Sequence, residues 1–315
     1  MEAVGATEEE IEVATLKGQK ILITGPTGQV AKPLARALAA DNEVWGVARF
    51  KDPATRAAVE ADGVHCVAAD LSAGDFSAVP DDFNYVLNLA VSKSGDFDYD
   101  LAANVEALGL LMSHCRSAQA LLHCSSTAVY QANGHHRFAE NDPLGDNHRV
   151  MMPTYSLAKI AAESMARYVA REFGIPTTIA RLNVPYGDNG GWPSYHFDAM
   201  LANQPIAVHT DGPSVYNPIH EDDIIRQVPA LLEIASIPAT VVNWGGNDEV
   251  SIEDWCRYMG ELTGVEARFV STDQVLESVT IDTTRMHELV GTTTVEWHDG
   301  YRRMLQARYP DALKP

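Results

Sequence analysis

Between residues 20 and 182, short apolar runs alternate with stretches whose apolar positions recur at helical spacing. The runs predict strands at Ile21–Thr24, Val44–Ala48, Val64–Ala68, Tyr85–Ala90, Leu121–Ser125 and Thr177–Leu182. The stretches between them predict helices at Ala31–Ala40, Pro53–Ala61, Leu101–Ser117 and Tyr155–Phe173. Strands that are apolar throughout must be covered on both faces. Separated by helices, they imply an α/β fold with a doubly wound parallel sheet. The glycine-rich segment Gly187–Pro193 ends the pattern, and Glu221–Ile234 with Thr240–Trp244 resumes it as one more helix and strand.

Composition narrows what such a fold can do. The 315 residues suffice for a large domain with a smaller partner. There are 23 basic and 43 acidic residues, a formal charge of −20 spread along the chain. Such a surface repels phosphate backbones and anionic lipid, so neither nucleic acid nor membrane is an expected partner. No apolar run approaches the roughly 20 residues of a membrane span, and no basic-then-apolar leader opens the sequence, so a cytoplasmic location is expected. Cys66, Cys115, Cys124 and Cys256 are scattered in apolar surroundings and read as reduced core thiols. Adjacent His135 and His136 cannot both face one ion, and no metal is expected.

The turn after the first strand, Thr24-Gly25-Pro26-Thr27-Gly28-Gln29-Val30-Ala31, carries the first chemical signal. Gly25-x-x-Gly28-x-x-Ala31 permits a tight turn, close approach of phosphate and close packing of helix on strand. Free N–H groups and the helix dipole at such a turn suit a pyrophosphate. The fold is thus read as Rossmann-type, with Gly25, Thr27, Gly28, Gln29, Val30, Leu89 and Ala90 against a dinucleotide. About 20 residues on, where an acidic residue would bind the adenosine ribose, the chain has Ala48, Arg49 and then Lys51. A cation without a carboxylate suits a 2′-phosphate, so NADP is expected, with NAD as the alternative. Asp52-Pro53 reads as a helix cap. Asp70-Leu71 reads as an adenine contact or an ordinary turn.

Ser125-Ser126-Thr127 and Tyr155-Ser156-Leu157-Ala158-Lys159 carry the second. Tyr155 and Lys159 share one helix face, in a helix that follows the strand ending in the serines. A phenol of pKa about 10 is a poor base at neutral pH, and a neighbouring ammonium lowers it. Lys159 is expected to do so while holding nicotinamide ribose hydroxyls, and a serine hydroxyl to polarise the substrate oxygen. On this reading residues 18–183 plus 213–248 form the dinucleotide-binding domain, and 184–212 plus 249–315 a smaller substrate-binding lobe. Residues 1–17, with Glu8, Glu9, Glu10 and Glu12, read as a flexible acidic tail.

From Lys20 to about Leu305 the chain resembles an extended short-chain dehydrogenase/reductase, of the NAD-dependent epimerase/dehydratase-like group. The glycine turn resembles that family's dinucleotide signature, with Ala31 for the usual last glycine. Counting four back from Tyr130 in Ser126-Thr127-Ala128-Val129-Tyr130, the resemblance picks Ser126 over Ser125 as catalytic. Tyr155 and Lys159 match its central pair, and Asn104 its helix asparagine that supports a proton-relay water. Arg181–Gly187, His220–Asp223 and Asp282–Arg285 also match. Two departures concern substrate. Where sugar-nucleotide members tend to carry an asparagine and a diphosphate-gripping arginine, this chain has Val184 and Tyr216.

The expected function is an NADP(H)-dependent oxidoreductase that interconverts a ketone and a secondary alcohol on a small, largely apolar molecule. Thr127, Met152, Val184, Trp192, Tyr195 and Tyr216 are its expected pocket walls. The alternatives are a nucleotide-sugar 4-epimerase or dehydratase with tightly held NAD, and a non-catalytic nucleotide sensor. Helices Leu101–Ser117 and Tyr155–Phe173 carry apolar residues for two faces, and the resemblance implies a homodimer through a four-helix bundle.

Overall fold

The computed structural model describes residues 16–314. The expected acidic tail lies outside them, apart from Leu16 and Lys17. In chain order β1 (Lys20–Thr24), α1 (Ala31–Ala39), β2 (Glu43–Ala48), α2 (Pro53–Ala61), β3 (His65–Ala68) and β4 (Tyr85–Asn88) follow the predicted alternation. Next come α3 (Phe97–Leu101), a π-helical turn (Ala102–Glu106), α4 (Ala107–His114), β5 (Ala120–Ser126), β6 (Arg137–Phe138), α5 (Tyr155–Phe173) and β7 (Thr177–Leu182). Then follow β8 (Val184–Gly187), β9 (Gly190–Gly191), α6 (Trp192–Leu201), β10 (Ile206–His209), β11 (Val215–Tyr216), β12 (Pro218–His220) and α7 (Glu221–Glu233). The chain closes with β13 (Thr240–Trp244), β14 (Val250–Ser251), α8 (Ile252–Thr263), β15 (Phe269–Thr272), β16 (Thr280–Ile281), α9 (Thr284–Val290) and α10 (Trp297–Arg308).

Seven strands form one parallel sheet in the order β13-β7-β5-β4-β1-β2-β3. The order reverses beside β1, and the carboxyl ends of the strands part there into a crevice. Successive strand residues feed opposite faces. Ile21, Ile23, Leu87 and Leu122 join Leu34 of α1 and Val228 of α7 in one core layer. Leu22, Val86 and Leu121 join Leu108 and Leu111 of α4 and Ala166 of α5 in the other. Each such Leu or Ile contributes about 1.5–3 kcal/mol through burial. Tyr130, Phe138, Phe197, Trp255 and Tyr301 belong to a third core, formed largely by residues of the expected smaller lobe.

Two expectations need adjustment. The helix read as Leu101–Ser117 starts at Phe97, because the Asp96 side chain accepts the Tyr99 N–H at 3.1 Å. It widens into the π-turn where the Asn104 amide donates to the Asp100 carbonyl at 2.7 Å, and α4 ends at His114. The division of the chain is also less clean than residue ranges imply. Met286 and Val290 of α9, allotted to the lobe, pack in the sheet's core. Tyr130, Phe138 and Tyr216, allotted to the sheet domain, pack in the lobe. All four cysteines are free. Among the described residues no helix is long and apolar enough to cross a membrane, and no group of His, Cys, Asp or Glu side chains could hold a metal ion.

Candidate active site

A cleft of about 470 Å³ opens at the carboxyl end of β1. Gly25, Thr27, Gly28, Gln29, Val30, Arg49, Asp70, Leu71, Leu89 and Ala90, read from the sequence as cofactor contacts, all line it. Its shape depends on glycine. Gly25 has φ +70°, and a Cβ there would sit 3.0 Å from the Cα of Ala90. The N-terminus of α1 has no side-chain cap, and among the described residues the Gln29 and Val30 amides have no hydrogen-bond partner. An oxyanion is the partner such amides fit. The residues present therefore fit a dinucleotide pyrophosphate. Gln29 also hydrogen-bonds Asn189 in the β8–β9 turn, which donates back to the Gln29 carbonyl at 2.8 Å.

At the far end of the cleft, Arg49 and Lys51 follow β2. Asp52 instead caps α2, accepting from the Ala54 and Thr55 amides. Arg49 donates to the Tyr99 hydroxyl at 3.1 Å, and that hydroxyl lies 3.4 Å from both Asp70 oxygens. Burial opposes ionisation of Asp70, but Ser72, Arg49 and Tyr99 together hold its carboxyl below the usual range. Sequence reading missed Tyr99, which belongs to the unread start of α3; the Asp96 cap is the signal that would have found it.

The chemical groups meet where β5 ends and α5 begins. Ser126 Oγ accepts the Ala128 N–H at 3.2 Å, fixing the turn that holds Thr127. Its hydroxyl lies beside the Tyr155 phenol and favours the ionised form. Ser125 is committed elsewhere, donating to Glu163 at 2.6 Å. Lys159, one helical turn beyond Tyr155, is buried and donates to the Cys124 carbonyl at 2.6 Å. Burial lowers its pKa, and the Glu163 carboxylate opposes that. Here the structure departs from expectation. Burial pushes the half-buried Tyr155 phenol up to about 12, rather than Lys159 drawing it down. At neutral pH the phenol thus carries its proton and is poised as a donor.

Asn104 holds the loop between the two parts. Its Oδ1 accepts the Ser92 N–H and its amide donates to the Ser92 carbonyl, both at 2.8 Å. Beside it, buried Asp100 takes hydrogen bonds from Ser92, Ser94, Gly95 and Thr154, so the loop that borders the cleft is tied to the residue preceding Tyr155. Glu163 accepts Arg181 through Nε at 2.9 Å and Nη2 at 2.8 Å, and Arg181 reaches Tyr130 and the Glu140 carbonyl. These partners hold α5 against β5 and β7 beneath the reacting groups.

The expected substrate walls divide. Trp192 and Tyr216 line a pocket of about 200 Å³ with His196, Ile252, Leu276 and Met151. Met151, not Met152, faces this pocket, and the Met152 carbonyl instead accepts the Tyr155 N–H. Val184 is buried in the third core, with Tyr186 and Phe197. Tyr195 is 69% exposed: α6 turns Phe197 and Met200 inward, and Tyr195 falls on its outer face. His196, missed in the sequence, lies one turn from Trp192 and accepts the Trp255 indole N–H at 3.0 Å. Burial pushes its imidazole down to about 4, so the pocket carries no charge at neutral pH.

Comparison with known proteins agrees with this geometry. A profile of the NAD dependent epimerase/dehydratase family matches residues 21–245. A dTDP-4-dehydro-6-deoxy-D-allose reductase from Streptomyces bikiniensis is 26% identical over 302 residues, which cover 87% of this chain and 91% of that protein. In fold, the chain is similar to UDP-glucuronic acid 4-epimerase from Bacillus cereus, solved with UDP-glucuronic acid and NAD. That likeness has a TM-score of 0.78 and 22% identity, covering 91% and 98% of the two chains. It is likewise similar to dTDP-glucose 4,6-dehydratase from Streptomyces venezuelae, with a TM-score of 0.77, 20% identity, and 93% and 97% covered. The glycine cradle, the Ser126–Tyr155–Lys159 constellation and the matched profile lead to one conclusion: this chain belongs to the NAD dependent epimerase/dehydratase family of extended short-chain dehydrogenase/reductases and is an NAD(P)-dependent oxidoreductase-type enzyme.

Proposed function

We propose that the protein uses NADP(H) to interconvert a ketone and a secondary alcohol on a small, largely apolar substrate. The observation that carries this is the pocket formed by Trp192, Tyr216, His196, Ile252, Leu276 and Met151, in which no Lys or Arg side chain takes part. A diphosphate buried there would lack the cations that make such a group affordable. When bound, the nicotinamide supplies the hydride. Of the chain's own residues, Ser126 orients the carbonyl oxygen, Tyr155 gives that oxygen its proton, and Lys159 fixes the base of the site through Cys124. NADP rather than NAD is supported by Arg49 and Lys51, the two cations at the ribose end of the cleft.

A second reading is a nucleotide-sugar enzyme, supported by the names of the relatives, whose substrates or bound ligands are dTDP- and UDP-sugars. One assay separates them. Absorbance at 340 nm is followed with NADPH and with NADH, against aromatic and alicyclic ketones and against a dTDP-4-keto-6-deoxy sugar. Consumption of NADPH with the uncharged ketones supports the first reading, whereas activity confined to the nucleotide sugar replaces it with the second. We further propose a cytoplasmic homodimer paired through α4 and α5, whose Leu110, Leu157 and Tyr168 are exposed. Light scattering at micromolar concentration is expected to give twice the chain mass, and a monomer mass would end that proposal.

A further inference from the structure

The loop before α5 brings a histidine to the reacting tyrosine. The His148 and Tyr155 rings lie 5.5 Å apart, centroid to centroid, tilted at 44°. The loop's backbone is tightly held: the His148 carbonyl accepts the Met151 and Met152 amides at 3.0 and 2.8 Å, and its N–H donates to Ser156 Oγ at 3.3 Å. The ring is oriented by a short chain of hydrogen bonds. Asn147 Nδ2 donates to the Thr127 carbonyl at 3.3 Å, which turns Asn147 Oδ1 toward His148 Nδ1. An amide oxygen accepts only, so Nδ1 carries the proton and Nε2 keeps its lone pair. Among the described residues Nε2 has no hydrogen-bond partner. Burial, reinforced by the nearby Lys93 ammonium, pushes the imidazole down to about 4. The ring is thus a fixed, neutral acceptor beside the phenol that serves the reacting oxygen.

The His148 ring, with Nε2 unengaged, thus packs against the ring of the residue that serves the reacting oxygen. We propose that His148 Nε2 accepts a hydrogen bond from a substrate hydroxyl on the carbon adjacent to the carbonyl, so that the preferred substrates are α-hydroxyketones. This rests on the ketone reductase reading above and deepens it, naming a polar requirement at the head of an otherwise apolar molecule. His148 is a specificity-determining residue in this scheme, and Tyr155 still delivers the proton.

The test compares 2-hydroxyacetophenone with acetophenone, each with NADPH. Wild-type enzyme is expected to favour the hydroxyketone by roughly 10–100-fold in kcat/KM, the scale of one well-placed hydrogen bond against an acceptor left unpaired. His148→Phe keeps a ring and removes the acceptor. It should erase the preference by losing activity on the hydroxyketone alone, with KM for NADPH unchanged. His148→Gln restores an acceptor and should recover part of it. Equal use of both ketones by wild type, or a preference that survives in His148→Phe, overturns the inference and leaves the reductase reading standing. If wild type reduces neither ketone, the apolar-ketone reading falls and this inference falls with it.

Discussion

The cofactor cleft and the pocket around Trp192 sit on one scaffold but are built from different material. The cleft is made by backbone: a glycine with positive φ, free amides at the start of α1, and strand ends in fixed register. The pocket is made by side chains from α6, β10, β11, α8 and the loops around Met151 and Leu276. Backbone geometry follows from local sequence, because glycine and helix start dictate it over eight residues. A pocket wall depends on which face each of several distant segments turns inward. The cleft is therefore generic and the pocket particular, and substitutions should separate the two.

The largest effect is expected from Tyr155→Phe, which removes only a hydroxyl. Turnover should fall by roughly 10²–10⁴, the usual scale for a lost general acid, with NADPH affinity and melting temperature preserved. Near-normal turnover would move the proton donor elsewhere. Next is Asp100→Asn, which weakens the joint between the cleft loop and Thr154. Burial works against the Asp100 carboxylate, but Ser92, Thr154 and Ser94 hydrogen bonds outweigh it and hold the group down to about 2. A folded pKa depressed below the unfolded value gives stability that is present above about pH 4 and lost as pH falls toward 2. The substitution should thus cost about 2 kcal/mol at pH 7, with the two denaturation curves converging near pH 2. A constant gap across that range would refute the account.

Arg49→Ala should weaken NADPH binding about tenfold and leave NADH nearly unchanged, since only the former offers a phosphate to pair. Fluorescence titration with both nucleotides checks it, and equal losses would remove Arg49 from the ribose end. The smallest effect sharpens the contrast most. Trp192→Leu should change kcat/KM among ketones of different bulk by severalfold while leaving NADPH affinity untouched, because Trp192 lines the pocket and not the cleft. A matching change in NADPH affinity would show the two regions to be one.

The same contrast explains what the sequence disclosed. Helix α5 was legible to the residue, as Tyr155–Phe173, because the motif and its apolar spacing agree. Gly25, Gly28 and Arg49 were legible for their fixed offsets from β1. Ser126 was separated from Ser125 only by resemblance, and in the structure the Ser125 hydroxyl is bound to Glu163. Tyr195 and Val184 misled because aromatic or apolar character does not say whether a side chain faces a cavity, the core or solvent. Nothing in the sequence around His148 or His196 marks either as more than an ordinary histidine. Their significance lies in one hydrogen bond each, to Asn147 and from Trp255, made by residues whose proximity depends on the loop's fold or on tertiary packing.

The ion pair between Glu163 and Arg181 bears on how this sequence can change over time. Both side chains are almost wholly enclosed, at 6% and 5% exposure. Losing either alone strands the other's charge in the interior, at a cost of about 3–5 kcal/mol, a large fraction of what a typical domain has to spare. Replacing both with apolar residues of similar volume is far milder, but the route to it passes through an unstable single variant. The two positions are therefore held in step, and descendants of this chain should keep both or lose both.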